Sequence, residues 1–227
     1  MITLNLTKPF NIFLPNPYRY INREYLELFF DTGVLRVSSF ARFREYPDEI
    51  RGDQQEGNGV YMGHDPDKRV QFIVQTDDFN NSYMLSTSLF HDADLMRQFE
   101  CNACFQIIDP LAFANAVANA LPGFMGLLQG YCNYQERRII STEFEKPEDL
   151  MMRNSKGDFV IGDQNFNEKV GRIAKTGFEK LFIKEMKYQT QAEYRFVWLV
   201  DSANYPMETY LDLNCKEAVN YCKIIQK

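Results

Sequence analysis

The segment EYRFVWLV, at positions 193–200, constrains the fold more than any other stretch of this chain. Side chains alternate between the two faces of a β-strand, and with that period both faces of this segment carry apolar residues. One face holds Tyr194, Phe196, Trp198 and Val200, and the other holds Val197 and Leu199. A strand that is apolar on both faces lies in the middle of a sheet. We therefore expect the carboxylate at its start, Glu193, to be half buried.

The other predicted elements follow one another in irregular order. Further strands are predicted at 18–21, 34–40, 69–75, 83–90, 104–108, 130–140, 185–188 and 208–213. Helices are predicted from the cap residue Asn22 to Gly33, at 92–99 and 110–120, and over most of 166–183. Strands outnumber helices without regular alternation, which predicts an α+β fold and not a parallel α/β sheet. No repeat or change of composition divides the chain, so residues 1–227 are expected to form a single domain.

Composition and charge exclude several classes of protein. Of the 227 residues, 45% are hydrophobic, which excludes wholesale disorder, collagen and coiled coil. No apolar run is long enough to span a membrane, and the first residues lack a secretory signal pattern, so a cytoplasmic location is expected. Five cysteines, an odd number, fit a reducing compartment. The net charge of −6 does not favour a protein that coats nucleic acid. It does not exclude an enzyme that binds nucleic acid through one local groove.

The absence of several short motifs removes some enzyme classes. The chain has no P-loop, no G-x-G-x-x-G fingerprint and no H-E-x-x-H, which removes ATPases, Rossmann dehydrogenases and zincins. Cys101 and Cys104 have the spacing of half a zinc site, but no second close pair accompanies them, so buried thiols are expected and no metal.

Two serines lie on one face of the predicted middle strand YMLSTSLF (83–90). The period of two places Ser86 and Ser88 side by side between bulky apolar residues. Serines in strands more often face solvent or fill a hydrogen-bonding position, and that interpretation stays open here.

Charged residues also stand at strand positions. Arg19 is the one charge in the strand YRYI, and Glu193 begins the central strand. Gln191 would lie on the same face as Glu193 if that strand began two residues earlier. Buried charge is costly unless it is paired or has a function. The alternatives are an ordinary ion pair between Glu193 and Arg195, and a surface position for Arg19.

Taken in order, these residues resemble a known signature. An Arg on an early strand, Ser-Thr-Ser on a middle strand and Gln-x-Glu entering a late strand resemble the Arg–Ser–Glu branch of the ADP-ribosyltransferases. The three parts are Arg19, Ser86-Thr87-Ser88 and Gln191-Ala192-Glu193. The wider outline, with its LRVSS strand, RGD-x-x-EG loop and late EYR, is similar to uncharacterised bacterial and phage proteins of that fold. The resemblance implies a split antiparallel or mixed β-sheet flanked by helices, with NAD as co-substrate and no metal.

The resemblance also implies a role for each motif residue. Glu193 would stabilise the oxocarbenium-like centre that forms when the bond between nicotinamide and ribose breaks, and Ser86 would bind the ribose or fix that carboxylate. The expected cofactor-binding residues are Arg19, Tyr20, Thr87 and Ser88. Gln191 would meet the acceptor, a protein side chain or a nucleobase, and Tyr188 would stack on it.

The polar loop at 46–59, YPDEIRGDQQEGNG, is predicted to be a lid over the nucleotide. Its carboxylates lack the spacing of an EF-hand, so we expect a solvated surface and not a calcium site. The expected carboxylates at that surface are Asp48, Glu49, Asp53 and Glu56.

Three functions stay open. The first is a mono-ADP-ribosyltransferase that acts on a macromolecular acceptor, in the context of a toxin restrained by an antitoxin or partner protein, antiphage defence, or a phage effector. That context rests on analogy with the family. The second is a non-catalytic module on the same fold that binds a nucleotide or a protein. The third is phosphate transfer from RNA, for which the chain offers few basic residues.

Overall fold

The computed structural model describes residues 14–45, 52–53, 56–65, 70–76, 81–142, 152–153, 159–160 and 178–226. Within them, the strands are Tyr18–Ile21 (β1), Val34–Ser39 (β2), Gly59–Asp65 (β3), Val70–Thr76 (β4), Ser82–Ser88 (β5), Ala103–Ile107 (β6), Phe124–Tyr131 (β7), Asn133–Gln135 (β8), Ile139–Thr142 (β9), Met152–Arg153 (β10), Phe159–Val160 (β11), Ile183–Glu185 (β12), Glu193–Val200 (β13), Tyr210–Asn214 (β14) and Cys222–Gln226 (β15). The helices are Arg23–Thr32 (α1), Phe40–Glu45 (α2), Ala93–Gln98 (α3) and Pro110–Ala120 (α4), with 3₁₀ helices at Phe178–Phe182, Met186–Gln191 and Lys216–Tyr221. These elements form a single-domain α+β fold, as the sequence predicts.

An antiparallel sheet of eight strands dominates the structure. One path through it runs β14-β2-β5-β1-β6-β15, while β13 pairs with β5 on one side and with β7 on the other. β13 is therefore flanked on both sides, which confirms the prediction that EYRFVWLV is a central strand. Three smaller sheets, β4-β3-β9, β12-β8 and β10-β11, accompany it in the described part of the chain.

The sheet divides at β5. One edge of β5 pairs with β13 along its whole length, from Ser82 to Ser88. The other edge meets β2 at Tyr83 and Met84, and meets β1 only at Ser88. Between these contacts, the described strands supply no ladder partner for residues 85–87 on that edge. β1 and β2 thus separate here, and a gap between strands leaves room for a ligand beside the backbone of β5.

One face of the sheet carries the main core. Tyr194, Phe196 and Trp198 are buried there, and the indole nitrogen Nε1 of Trp198 donates to the carbonyl of Ala114 in α4 at 3.0 Å. α4 lies on this face with Phe113 in edge contact with Phe196, the ring centroids 5.4 Å apart. The hydrophobic burial that stabilises the fold is therefore concentrated on this side.

Helix α1 ends at the glycine that the sequence identifies as its stop. Gly33 has φ of 84°, and its N–H donates to the carbonyl of Phe29 at 2.8 Å. A Cβ atom at this position would lie 2.5 Å from the Cα of Lys216. Glycine is thus needed here both for the left-handed backbone and for the close approach of another segment.

Three predicted elements differ from the observed ones. The prediction of a strand at 185–188 is wrong. Strand β12 ends at Glu185, and a 3₁₀ helix begins at Met186. The predicted strand 130–140 contains the end of β7, all of β8 and the start of β9, which belong to three different sheets. A period of two does not show where a chain leaves one sheet for another. In the predicted helix 166–183, residues 166–177 lie outside the described residues; 178–182 form a 3₁₀ helix, and Ile183 already belongs to β12.

Candidate functional site

A cavity of about 350 Å³ lies at the division of the sheet. Residues of β1, β2, β5, α1 and α2 line it, together with Glu56, Lys184, Gln191 and Glu193. All residues predicted to bind or act on the co-substrate line this cavity, namely Arg19, Tyr20, Ser86, Thr87, Ser88, Gln191 and Glu193. Tyr188, the residue predicted to stack on the acceptor, is absent from its lining. Its volume is in the range of small-molecule sites.

Glu193 is a buried carboxylate of the cavity that contacts two cations. It is 4% exposed, more buried than the half burial expected from the sequence. Its Oε1 accepts from Nε of Arg195 at 2.7 Å, and its Oε2 lies 2.6 Å from Nζ of Lys184. Burial alone would raise the pKa of Glu193, but the charges of Arg195 and Lys184 and their hydrogen bonds outweigh it and hold that pKa well below its usual range. The carboxylate is therefore ionised at neutral pH.

Arg195 lies beneath this carboxylate and joins it to a second one. Its side chain is fully buried, and its Nη1 lies 2.7 Å from Oε1 of Glu56. The same Nη1 donates to the carbonyl of Leu181. The ion pair between Glu193 and Arg195 is thus present and buried, and Glu56 is an additional member that the sequence did not indicate.

The expectation that the carboxylates of the 46–59 segment are solvated is wrong for the two that the structure describes. Asp53 and Glu56 are both buried, and Asp53 pairs with Arg138. Residues 46–51 and 54–55, including Asp48 and Glu49, lie outside the described residues. With Glu56, two buried carboxylates balance the two buried cations Arg195 and Lys184, a long-range requirement that local polarity does not reveal.

Lys184 connects three of the predicted site residues. Its Nζ donates to Oε1 of Gln191 at 2.8 Å, pairs with Glu193, and lies 4.7 Å from the centre of the Tyr188 ring. The sequence does not indicate this role, because nothing in IKEMK distinguishes Lys184 from Lys187. Only the return of the chain at β13 gives Lys184 its partners.

Gln191 does not belong to the central strand. It ends the 3₁₀ helix Met186–Gln191, and Ala192 follows with φ of 42° before β13 begins. The backward extension of the strand is therefore wrong. Gln191 and Glu193 nevertheless point to the same side, since both reach the ammonium of Lys184.

Tyr188 is buried within this turn. It is 7% exposed, its hydroxyl donates to the carbonyl of Gly52 at 3.3 Å, and Nζ of Lys187 lies 4.9 Å from its ring centre. The ring that the sequence predicts to stack on an acceptor is thus buried, with the ammonium groups of Lys184 and Lys187 near it.

Arg19 lies at the open edge of β5. Its Nη1 donates to the carbonyl of Ser86 at 2.6 Å, across the gap where β5 has no ladder partner. Its Nε is buried and makes no hydrogen bond to any described residue. Burial lowers the pKa of Arg19, and Cys101 and Glu193 raise it in part. A guanidinium held this way can receive an anionic or hydroxyl-rich ligand.

The hydroxyls of the predicted motif divide into two groups. Ser86 is half-buried and faces the cavity. Thr87 Oγ1 donates to the carbonyl of Tyr194 at 2.6 Å, and Ser88 Oγ donates to the carbonyl of Gln191 at 2.9 Å. Thr87 and Ser88 therefore use their hydroxyls to fasten β5 to β13 and to the turn before it.

Tyr20 holds the segment between β5 and α3 against β1. Its hydroxyl donates to the carbonyl of Phe90 at 2.7 Å and accepts from the N–H of Asp92 at 2.7 Å. Burial raises the pKa of Tyr20 to about 12. The hydroxyl is thus occupied and protonated, and what Tyr20 offers to the cavity is its ring.

A second group of charges lines the far side of the cavity and was not predicted. Arg36 on β2 makes a bidentate pair with Asp212 on β14, with both N–O distances 2.7 Å. The guanidinium carbons of Arg36 and Arg42 lie 4.1 Å and 4.8 Å from the ring centre of Tyr210. Arg36 and Asp212 balance each other's charge in the lining, and Arg42 adds a further cation there.

Comparison of the chain with protein-family models, curated proteins and solved structures returns no match. Among the described residues, no helix has the length and apolarity to cross a membrane. Within that same part of the chain, no cluster of His, Cys, Asp and Glu has a metal-binding arrangement. All five cysteines are free thiols.

Proposed function

We propose that the protein is a NAD-dependent mono-ADP-ribosyltransferase that modifies a macromolecular acceptor. The observation that carries this proposal is the convergence of Arg19, Ser86, Gln191 and Glu193 on one cavity. These residues come from β1, β5, β13 and the turn before β13, so their meeting depends on the division of the sheet at β5.

The reaction needs an ionised carboxylate beside the ribose. When the bond between the ribose C1′ and the nicotinamide nitrogen breaks, its electron pair leaves with nicotinamide, and positive charge develops on the ribose. Glu193 is ionised and fixed on two sides, so it can stabilise that charge without reorganising. The acceptor atom then bonds to C1′ and releases its proton.

The other residues bind and orient. Arg19 has a buried Nε without a described partner, which suits a phosphate or ribose oxygen of NAD. Ser86 offers a hydroxyl at the gap in the sheet. Gln191 lies beside Glu193, where an acceptor would approach the ribose. In ADP-ribosyltransferases that the motif resembles, a glutamine at this position goes with amide or nucleobase acceptors.

One observation favours the alternative of a non-catalytic nucleotide- or protein-binding module on the same fold. Both oxygens of Glu193 already contact a cation, Arg195 on one side and Lys184 on the other. A carboxylate shared between two cations has less charge to offer a developing oxocarbenium ion.

The test is incubation of the purified protein with labelled NAD, with and without cell lysate, following label transfer and free nicotinamide. We expect labelled acceptor, and a loss of at least about 10²-fold in Glu193→Gln. The matched control is Glu27→Gln, which changes an exposed carboxylate of α1 that does not line the cavity.

The outcomes separate the candidates. Nicotinamide release without labelling would assign NAD hydrolysis in place of transfer. A wild-type protein that binds NAD, seen as a raised melting temperature, but turns none over would favour the binding module. If the protein neither bound NAD nor turned it over, the proposal would be overturned.

A further inference from the structure

Ten residues of the chain, from Lys184 to Glu193, form a loop whose ends meet. Lys184 lies in β12 and Glu193 begins β13, and the two side chains are in contact at 2.6 Å. Gln191 and Tyr188 lie on the turn between them. The lysine therefore closes the segment that carries the acceptor-facing residue of the proposed site.

The environment of Lys184 is unusual for a lysine. The residue is 7% exposed, and a buried ammonium is costly unless its donors are satisfied. Its donors are directed to the carboxylate of Glu193 and the amide oxygen of Gln191, with the face of Tyr188 close by. The ammonium thus bridges two side chains that the backbone alone does not hold at a fixed distance.

The backbone beneath this bridge is held in a strained form. Ala192, between Gln191 and Glu193, has φ of 42°, in the left-handed region that residues with a Cβ rarely adopt. Its N–H donates to the carbonyl of Gln189 at 3.1 Å, and its carbonyl accepts from the N–H of Leu89 at 2.9 Å. Side-chain closure by Lys184 adds to these few backbone contacts in stabilising the turn.

We infer that Lys184 is a positioning residue that fixes the amide of Gln191 against the carboxylate of Glu193. This inference rests on the proposed function. The effect of Lys184 falls on the step after nicotinamide has left, when either the acceptor or water reacts with the ribose. A misplaced Gln191 no longer holds the acceptor near C1′, whereas water needs no such placement. Loss of Lys184 therefore reduces transfer more than it reduces nicotinamide release.

The matched control for this residue is Lys187. It lies in the same turn, contacts the same Tyr188 ring at 4.9 Å, and carries the same charge. Its side chain is 55% exposed and pairs with Glu185, away from Glu193 and Gln191. Lys184→Met and Lys187→Met thus remove the same group at the same ring, and only the first breaks the bridge.

The experiment compares the ratio of label transfer to nicotinamide release in the full-length variants. We expect Lys184→Met to lower this ratio by about tenfold or more, and Lys187→Met to leave it within about twofold. In the double variant Lys184→Met/Gln191→Ala the ratio should fall no further than in Gln191→Ala alone, because the lysine acts through that glutamine. Equal ratios in the two lysine variants, or a proportional loss of both products, would overturn the inference.

A second measurement applies even if the protein turns over no NAD. Amide hydrogen exchange at Ala192 should be about tenfold faster in Lys184→Met and unchanged in Lys187→Met, with the core strands equally protected in both. Faster exchange confined to the turn would support the positioning role while the proposed function fails. Unchanged or globally faster exchange would refute that role.

Discussion

The two faces of the β5–β13 pair are made by alternate residues of the same two strands, yet only one of them places buried charges beside its apolar residues. On the core face, Tyr194, Phe196 and Trp198 pack in a row against α4. On the opposite face, Glu193 and Arg195 stand across from Ser88 and Ser86. Both faces are buried, so the difference between them is not one of exposure to solvent.

The comparison teaches that burial serves two purposes here. The aromatic face contributes stability through removal of apolar area from water. The charged face contributes little or none, because desolvating its ions offsets most of their attraction. A sheet face that carries ions at no gain in stability is a candidate for function, and the cavity lies against this face.

The largest expected effect lies on the aromatic face. Trp198→Ala should reduce the free energy of unfolding by about 3–5 kcal/mol, since the ring is fully buried and its Nε1 bonds to Ala114. Urea unfolding followed by circular dichroism measures this change. A reduction below about 1 kcal/mol would mean that the aromatic row does not carry the core.

Removal of the central cation of the charged face should cost nearly as much. Arg195→Met leaves Glu56 without its partner and Glu193 with Lys184 alone, which should cost about 3 kcal/mol in the same unfolding experiment. Adding Glu56→Gln should recover part of the loss, because one unpaired charge is then removed. If the double variant were less stable than the single one, the ion-pair account of this face would be wrong.

Acid should weaken the charged face and spare the aromatic one. The pKa of Glu193 is lower in the folded protein than in the unfolded chain, where it is about 4.3. Its stabilising contribution is therefore complete at neutral pH and falls as the pH drops below that value toward the folded pKa. Glu193→Gln should flatten the dependence of unfolding free energy on pH below about 4.3, as measured by urea titrations at several pH values. An unchanged slope would show that this carboxylate is not held ionised.

The smallest expected effect separates two neighbouring hydroxyls of β5. Thr87→Val removes the bond to the carbonyl of Tyr194 and should cost about 1 kcal/mol of stability with NAD affinity retained. Ser86→Ala should change stability by less than about 0.5 kcal/mol and weaken NAD binding, because Ser86 lines the cavity. Urea unfolding would measure the stability of each variant, and calorimetric titration would measure its affinity for NAD. If Thr87→Val weakened NAD binding and Ser86→Ala lowered stability, the two assignments would be exchanged.

Much of the architecture follows from local pattern. The apolar period of EYRFVWLV predicts a central strand, and Gly33 predicts the end of α1; the structure confirms both. The candidate site residues on strands, Arg19, Ser86 and Glu193, were also predicted, because a polar group in an apolar strand stands out from its neighbours.

The partners of these residues could not be predicted. Lys184 and Glu56 look like ordinary solvated charges in the sequence, since Lys184 lies in the mixed run IKEMK and Glu56 in the polar run RGDQQEG. Glu56 becomes part of the site because it pairs with the buried Arg195, which lies far along the chain. Lys184 becomes part of the site because it pairs with the buried Glu193.

The sequence by itself determined the α+β class, the central strand and the positions where polar groups enter the sheet. These depend on side-chain period and on local capping, which act over a few residues. Only the tertiary structure decided that β1 and β2 separate along β5, that a cavity forms there, and that Lys184 bridges Gln191 and Glu193. Such features depend on which distant segments pair and on the cost of leaving a buried charge without a partner, and no local pattern records either.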